Sequence, residues 1–159
     1  MAINDLIKLA NNKVAGTRIL GFDLGTKTIG LALSDPGLTV ASPIQTLQRR
    51  KFSADVVILQ SLVGERNIGA FVFGLPTNMD GSEGPRAQGT RDFATNLVNH
   101  IKLPVAFWDE RLSTAVVERL MIDEADLSRK KRAGSVDKLA AAYILQGALD
   151  ALATNQGTA

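Results

Sequence analysis

The chain has 159 residues, of which 45% are hydrophobic and 21% charged, with a formal net charge of +2 and no cysteine. This length suits one domain with a buried core, and the lack of cysteine excludes disulfide frameworks, thiolate zinc sites and cysteine catalysis. No apolar run approaches the ~18 residues of a membrane span, and the N-terminus does not resemble a signal peptide. The composition therefore predicts a soluble, intracellular protein without membrane contact.

The first part of the chain contains a short predicted helix and three predicted strands. Apolar residues at helical spacing predict a helix over 3–10, which we interpret as a helical extension formed by residues 1–16. A single domain is expected over 17–159. Its first strands are predicted at 18–24, 28–34 and 39–47. Because Pro43 cannot donate to a ladder, the third strand is expected at an edge or broken.

The rest of the chain alternates between helical and strand patterns. The predicted elements are a helix at 52–66, a strand at 68–75, a helix at 85–100, a strand at 105–109 and helices at 113–123 and 135–153. Three antiparallel strands followed by βα units predict an α/β fold, with a five-stranded mixed sheet flanked by helices.

An acidic residue stands inside the first predicted strand. Alternation places Gly21, Asp23 and Gly25 on one face of that strand. The glycines leave space around the carboxylate, and an acid inside a central strand is costly unless it is paired or holds a metal. From the spacing alone, a metal site and a carboxylate satisfied by a neighbouring hydroxyl or turn amide are equally good interpretations of Asp23.

Two further acidic positions lie where elements begin or end. Asp109 and Glu110 follow the fifth strand, and sites in sheet proteins gather at strand ends. Asp137 begins the face of the last helix that continues through Ala141 and Ala148, and small residues let a helix approach a sheet closely. Each acid could instead only complement a helix dipole. Together they form an oxygen-only set that suits Mg²⁺ or Mn²⁺, and two such ions can support phosphodiester hydrolysis.

Basic residues are concentrated in two clusters and one loop. The clusters consist of Arg49, Arg50 and Lys51, and of Arg129, Lys130, Lys131 and Arg132. Arg86 lies at a predicted helix start after a long glycine-rich loop, where a phosphate could bind. Such charge runs are often merely solvated. With few aromatic residues for base stacking, binding to duplex or branched nucleic acid through phosphates fits these clusters best.

Four motifs in order resemble the bacterial YqgF (RuvX) family. They are the stretches Gly21–Asp35, Gly74–Gln88, Asp109–Thr114 and Val136–Leu145. The resemblance implies an RNase H-like fold related to Holliday junction resolvases, and a cytoplasmic nuclease that processes the 5′ end of pre-16S ribosomal RNA. It also implies that Asp23, Glu110 and Asp137 form the metal-binding catalytic set. Glu110 is preferred to Asp109 because its longer side chain can reach inward from the strand end.

Other functions stay open at this point. A Holliday junction resolvase-type endonuclease acting on branched DNA is one alternative, and a non-catalytic RNA-binding factor of ribosome assembly is another. An actin-like ATPase fits less well, because such proteins hold nucleotide between two domains. The expected partners are precursor rRNA and ribosome precursors, and the expected state is a monomer or a weak homodimer.

Overall fold

A computed structural model describes residues 2–78, 80–109 and 129–157, and the side chains of residues 5–78, 80–109 and 138–154. Nine elements lie in these ranges. They are α1 (Ala2–Asn12), β1 (Arg18–Leu24), β2 (Thr28–Ser34), β3 (Ala41–Gln48), α2 (Phe52–Arg66), β4 (Ile68–Leu75), α3 (Pro85–His100), β5 (Val105–Asp109) and α4 (Arg129–Gly157).

The five strands form one mixed sheet with the order β3-β2-β1-β4-β5. The β1–β2 and β2–β3 pairs are antiparallel, whereas β1–β4 and β4–β5 are parallel. The predicted α/β class and five-stranded mixed sheet are thus confirmed. β3, which contains Pro43, lies at an edge as expected, where a missing amide donor is tolerated.

Helices cover both faces of the sheet and create two apolar cores. On one face, α2 and α3 enclose a cluster of aromatic rings, in which Phe22 stacks on Phe73 with centroids 4.2 Å apart. On the other face, α1 and α4 pack on β1, β2, β4 and β5. The apolar run of β4 is buried along its whole length, as expected for a central strand covered on both faces.

Helix α1 contributes to the second core. Leu6 is completely buried and Leu9 is 2% exposed, and both join the cluster that contains Ala106 of β5 and Leu149 of α4. The amphipathic pattern that predicts this helix therefore also identifies the face that packs on the fold.

The last helix begins earlier than its sequence pattern indicates. It starts at Arg129, so the prediction of a start near Ser135 was wrong. A run of Arg and Lys suggests a solvated loop, yet both residues have high helix propensity, and the helix continues through them. The helix predicted over 113–123 lies outside the described residues. None of the helices described has the length and apolarity to cross a membrane.

Asp35 caps the turn between β2 and β3. Its carboxylate accepts hydrogen bonds from the Thr39 hydroxyl (2.6 Å) and from the amides of Thr39 (2.7 Å) and Val40 (2.9 Å). These donors, the Thr39 hydroxyl first, lower the pKa of Asp35 from 3.8 to about 2. The ionised carboxylate therefore stabilises the folded chain above pH ~4, and this contribution is lost as the pH falls toward 2.

We expect Asp35→Asn to reduce the free energy of unfolding by about 1 kcal/mol at neutral pH, a value kept small by solvent screening. The difference from the wild type should shrink between pH 4 and pH 2, because there the wild-type carboxylate is protonated. Urea unfolding across this range measures both effects. A difference that stays constant down to pH 2 would contradict the assignment.

Candidate active site at the carboxyl ends of the strands

Asp23 lies near the end of β1 in a part of the sheet lined by glycines. It pairs with Gly30 of β2, and the register of Phe22 with Phe73 places it level with Gly74 of β4. Gly21 lies two residues earlier on the same face. The carboxylate is half-buried, and the neighbouring positions on its face carry no side chains.

Helix α4 packs directly on this face. A Cβ at Gly21 would lie 2.8 Å from Leu145 Cβ and 3.4 Å from the carbonyl oxygen of Ala141, and a Cβ at Gly74 would collide with Ile144. The glycines of β1 and β4 thus allow the close approach predicted from the small-residue face of the helix. Asp137 belongs to the same helix, one turn before Ala141, and its side chain lies outside those described.

At the end of β5, consecutive residues face opposite sides of the sheet. Trp108 pairs with Gly74 and packs against Gly147 of α4, so it shares the face of Asp23. Asp109 is on the other face, where its Oδ1 accepts a hydrogen bond from the Thr77 hydroxyl at 3.1 Å. Glu110 lies outside the described residues.

The structure brings Asp23 together with helix α4, on which Asp137 lies. Among the side chains described, no three Asp, Glu or His residues form a group that could hold a metal ion. Two of the three acids predicted for the metal set, Glu110 and Asp137, have side chains outside this description. The predicted set therefore stays a prediction.

The first basic cluster follows β3 and lies beside the turn of the β1–β2 hairpin. Arg49 Nη1 donates to the carbonyl oxygen of Gly25 at 2.6 Å, and its guanidinium carbon lies 5.6 Å from the centre of the Phe93 ring. The amide of Arg50 donates to the buried Asp55 carboxylate at 3.2 Å. Lys51 precedes α2, and all three cationic side chains are exposed.

Arg86 lines a cleft of about 150 Å³ at the start of α3. The cleft walls come from the loop after β4 and the first residues of the helix: Pro76, Thr77, Asn78, Gly84, Pro85, Arg86 and Ala87. Since Thr77 also bonds Asp109, the cleft lies at the same end of the sheet as the acidic residues. An anion there would meet a cationic side chain beside a helix N-terminus.

An ion pair holds the loop that forms this cleft. Arg91 donates to both carboxylate oxygens of Glu83, at 2.7 and 2.8 Å, and its guanidinium carbon lies 4.7 Å from the centre of the Phe107 ring. Hydrogen bonding to Arg91 lowers the pKa of Glu83. Sequence reasoning missed this pair and the Thr77 contact, because they join residues eight and thirty-two positions apart without any local pattern.

The second basic cluster, Arg129 to Arg132, forms the beginning of α4. These residues therefore lie on the same helix as Asp137, within about two turns of it. Their side chains are outside those described, so their predicted phosphate contacts stay predictions.

Comparison with known proteins gives one family match and many close relatives. The family model described as "RuvX: Holliday junction resolvase" matches residues 17–151. A Rhodobacter capsulatus protein named "Putative pre-16S rRNA nuclease" is 61% identical over 135 residues, or 85% of this chain and 84% of its own. A Rhodospirillum rubrum protein of the same name is 56% identical over 152 residues, covering 96% and 94%. The latter alignment extends into residues 1–16.

Solved structures with low sequence identity share the fold. Thermus thermophilus RuvC, in complex with Holliday junction substrate, has a TM-score of 0.54 at 14% identity, covering 90% of this chain and 98% of its own. The yeast mitochondrial Holliday junction resolvase has a TM-score of 0.53 at 11% identity, covering 96% and 88%. At such identities the likeness concerns the fold alone, and it confirms the predicted RNase H-like fold.

Proposed function

Because this chain belongs to the RuvX family, we propose that it is a nuclease that hydrolyses phosphodiester bonds in the 5′-end processing of pre-16S rRNA. The observation that carries the proposal is the position of Asp23. Its carboxylate lies at the carboxyl end of a central strand, in a glycine-lined part of the face that α4 covers. In α/β proteins this end of a sheet is where sites gather.

Asp23, Glu110 and Asp137 are proposed as the residues that hold one or two Mg²⁺ or Mn²⁺ ions. Strand alternation supports Glu110. Trp108 shares the face of Asp23, whereas Asp109 lies on the opposite face. If the chain continued extended for one more residue, Glu110 would lie on the face of Asp23. Asp137 lies one turn before Ala141 on the same helix face. Ala141 lies over Gly21. Carboxylates alone form a donor set for hard divalent cations.

Each proposed acid has a specific task. When bound, the ions supply an activated water and stabilise the charge that develops on the phosphate. Asp23 offers a carboxylate whose neighbours on the sheet face are glycines, which let helix α4 lie close to it. With Glu110 and Asp137 as the other two ligands, the acids would hold the ions, and the ions would orient the phosphate.

Cations around the site are proposed to hold the substrate backbone. Arg86 would take a phosphate in the cleft beside Thr77, and Arg50 and Lys51 present exposed charges after β3. The helical segment 129–132 would guide the chain toward Asp137. Such contacts give affinity that falls with salt and carries little sequence information.

The names of the relatives support precursor rRNA as the substrate, since they are named for pre-16S rRNA. A cytoplasmic location, contact with ribosome precursors and a monomeric or weakly dimeric state belong to the same proposal. The family description favours a second candidate, resolution of four-way DNA junctions.

A cleavage assay with purified protein tests both candidates. Precursor 16S rRNA and a synthetic four-way junction are each incubated with Mg²⁺, with Mn²⁺ or with EDTA. We expect cleavage of the precursor RNA near its 5′ end with either metal and none with EDTA. Symmetrical cutting of the junction with no RNA cleavage would favour the resolvase, and cleavage in EDTA would overturn the metal-dependent mechanism.

A further inference from the structure

Arg49 makes two hydrogen bonds to the turn that follows Asp23. Its amide donates to the carbonyl oxygen of Lys27 at 2.8 Å, and its Nη1 donates to the carbonyl oxygen of Gly25 at 2.6 Å. The chain leaving β3 is therefore bound to both sides of the β1–β2 turn. Gly25 is only two residues from Asp23, on the same strand face.

The other side of the Arg49 guanidinium faces α3. Its central carbon lies 5.6 Å from the centre of the Phe93 ring, and Phe93 is 6% exposed within the aromatic core. Phe52 packs edge-on against Phe93, with centroids 5.3 Å apart. The guanidinium thus connects the turn to a rigid part of the fold. A planar guanidinium can donate a directed hydrogen bond and lie over a ring at the same time, which an ammonium does less well.

The turn itself is tight. The amide of Gly25 donates to the carbonyl oxygen of Thr28 at 2.8 Å, and a Cβ at Gly25 would lie 3.2 Å from that same oxygen. With this close approach, a shift of Gly25 would be transmitted along β1 to Asp23.

We propose that Arg49 is a positioning residue that acts through the Gly25 carbonyl to hold Asp23, and that it is not a phosphate contact. This role rests on the proposed function of Asp23 as a metal ligand. It separates Arg49, which bonds the turn, from its neighbours Arg50 and Lys51, which remain the proposed phosphate contacts of this cluster. Groups that orient a metal ligand change ion affinity by about 10- to 100-fold when they are removed.

Three variants of the full-length chain test this assignment. Arg49→Lys keeps the charge but loses the planar donor, Arg49→Gln loses both, and Arg50→Gln is the matched control. Mn²⁺ affinity is measured by calorimetry, and binding of a fluorescein-labelled precursor-rRNA fragment is measured over a range of salt concentrations. Hydrogen exchange at the Gly25 amide, compared with amides of β4, reports on the turn itself.

We expect both Arg49 variants to weaken Mn²⁺ binding about 10-fold, to speed exchange at Gly25, and to leave the salt dependence of RNA binding unchanged. Arg50→Gln should leave Mn²⁺ affinity unchanged and reduce the slope of log affinity against log salt by roughly 0.7 to 0.9, the value of one phosphate contact. A reduced slope in Arg49→Gln that Arg49→Lys restores would overturn the proposal.

The two proposals fail in different ways. If the wild type neither binds Mn²⁺ nor cleaves RNA, the proposed function fails. Arg49 is then judged by exchange at Gly25 and by the salt slope. Unchanged exchange in both Arg49 variants would overturn the positioning role, whatever the enzyme activity.

Discussion

Replacing Asp23 by Asn is expected to lower the rate of RNA cleavage at least about 1000-fold, equivalent to about 4 kcal/mol of transition-state stabilisation. The amide keeps the shape of the side chain but removes the charge that would hold a divalent ion. Because the carboxylate is half-buried beside glycines, removing its charge should not unfold the chain. Single-turnover cleavage of precursor rRNA measures the rate, and thermal unfolding checks the fold.

Asp92→Asn is the matched control for this change. Asp92 lies on α3, where it accepts a hydrogen bond from Gln88 at 2.9 Å, and it is not among the proposed site residues. Its variant should cleave at the wild-type rate. Asp137→Asn should share the loss seen for Asp23→Asn.

The Asp23→Asn variant also distinguishes an enzyme from a non-catalytic assembly factor. If the protein is a nuclease, cells whose own copy is replaced by the Asp23→Asn variant should accumulate 16S rRNA with an unprocessed 5′ end. If maturation continued normally, the proposed catalytic role would be wrong. Charge reversal over 129–132 would then identify an RNA-binding factor, provided that it blocked maturation while Asp23→Asn did not.

Replacing Gly21 by Ala is expected to reduce the free energy of unfolding by about 2 to 3 kcal/mol, or about 5 to 10 °C in Tm. The new methyl group would lie 2.8 Å from Leu145 Cβ, an atom fixed to the helix backbone, so side-chain rotation cannot relieve the overlap. Helix α4 must then move away from the sheet. Because α4 carries Asp137, cleavage should also weaken at temperatures where the chain remains folded.

Gly64→Ala provides the control for adding a methyl group at a glycine. Gly64 lies inside α2, and a Cβ there meets no atom within 4 Å. The substitution should stabilise the chain by up to about 1 kcal/mol, since Ala favours the helix. Circular dichroism melts of both variants measure the contrast. Equal stability of Gly21→Ala and the wild type would show that α4 does not need the close contact.

Most elements of the fold can be predicted from the sequence because their signals are local. Pro85 marks the start of α3, and Pro43 identifies β3 as an edge strand. The start of α4 could not be found in this way, since Arg129 and its neighbours have the same composition in a solvated loop as in a helix. The amphipathic pattern of α1 indicates that Leu6 is buried, but it does not reveal that its partners are β5 and α4.

In the candidate site, too, local sequence patterns indicate some residues, whereas the roles of others depend on distant contacts. Asp23 stands out because glycines flank it at alternating positions. The tasks of other residues depend on distant partners: Arg49 contacts Gly25, and Thr77 contacts Asp109. The grouping of Arg49 with its basic neighbours rests on charge, which is visible in a sequence, whereas a hydrogen bond between residues 24 positions apart is not.

Trp108 gives the protein a spectroscopic property of its own. It is the only tryptophan in the sequence, and its buried Nε1 has no hydrogen-bond partner within the described part of the chain. This nitrogen faces Gly147 of α4, where a Cβ would lie 2.9 Å away. All indole fluorescence therefore originates at the contact between β5 and α4. A shift of this helix against the strand end would change the emission without any added label.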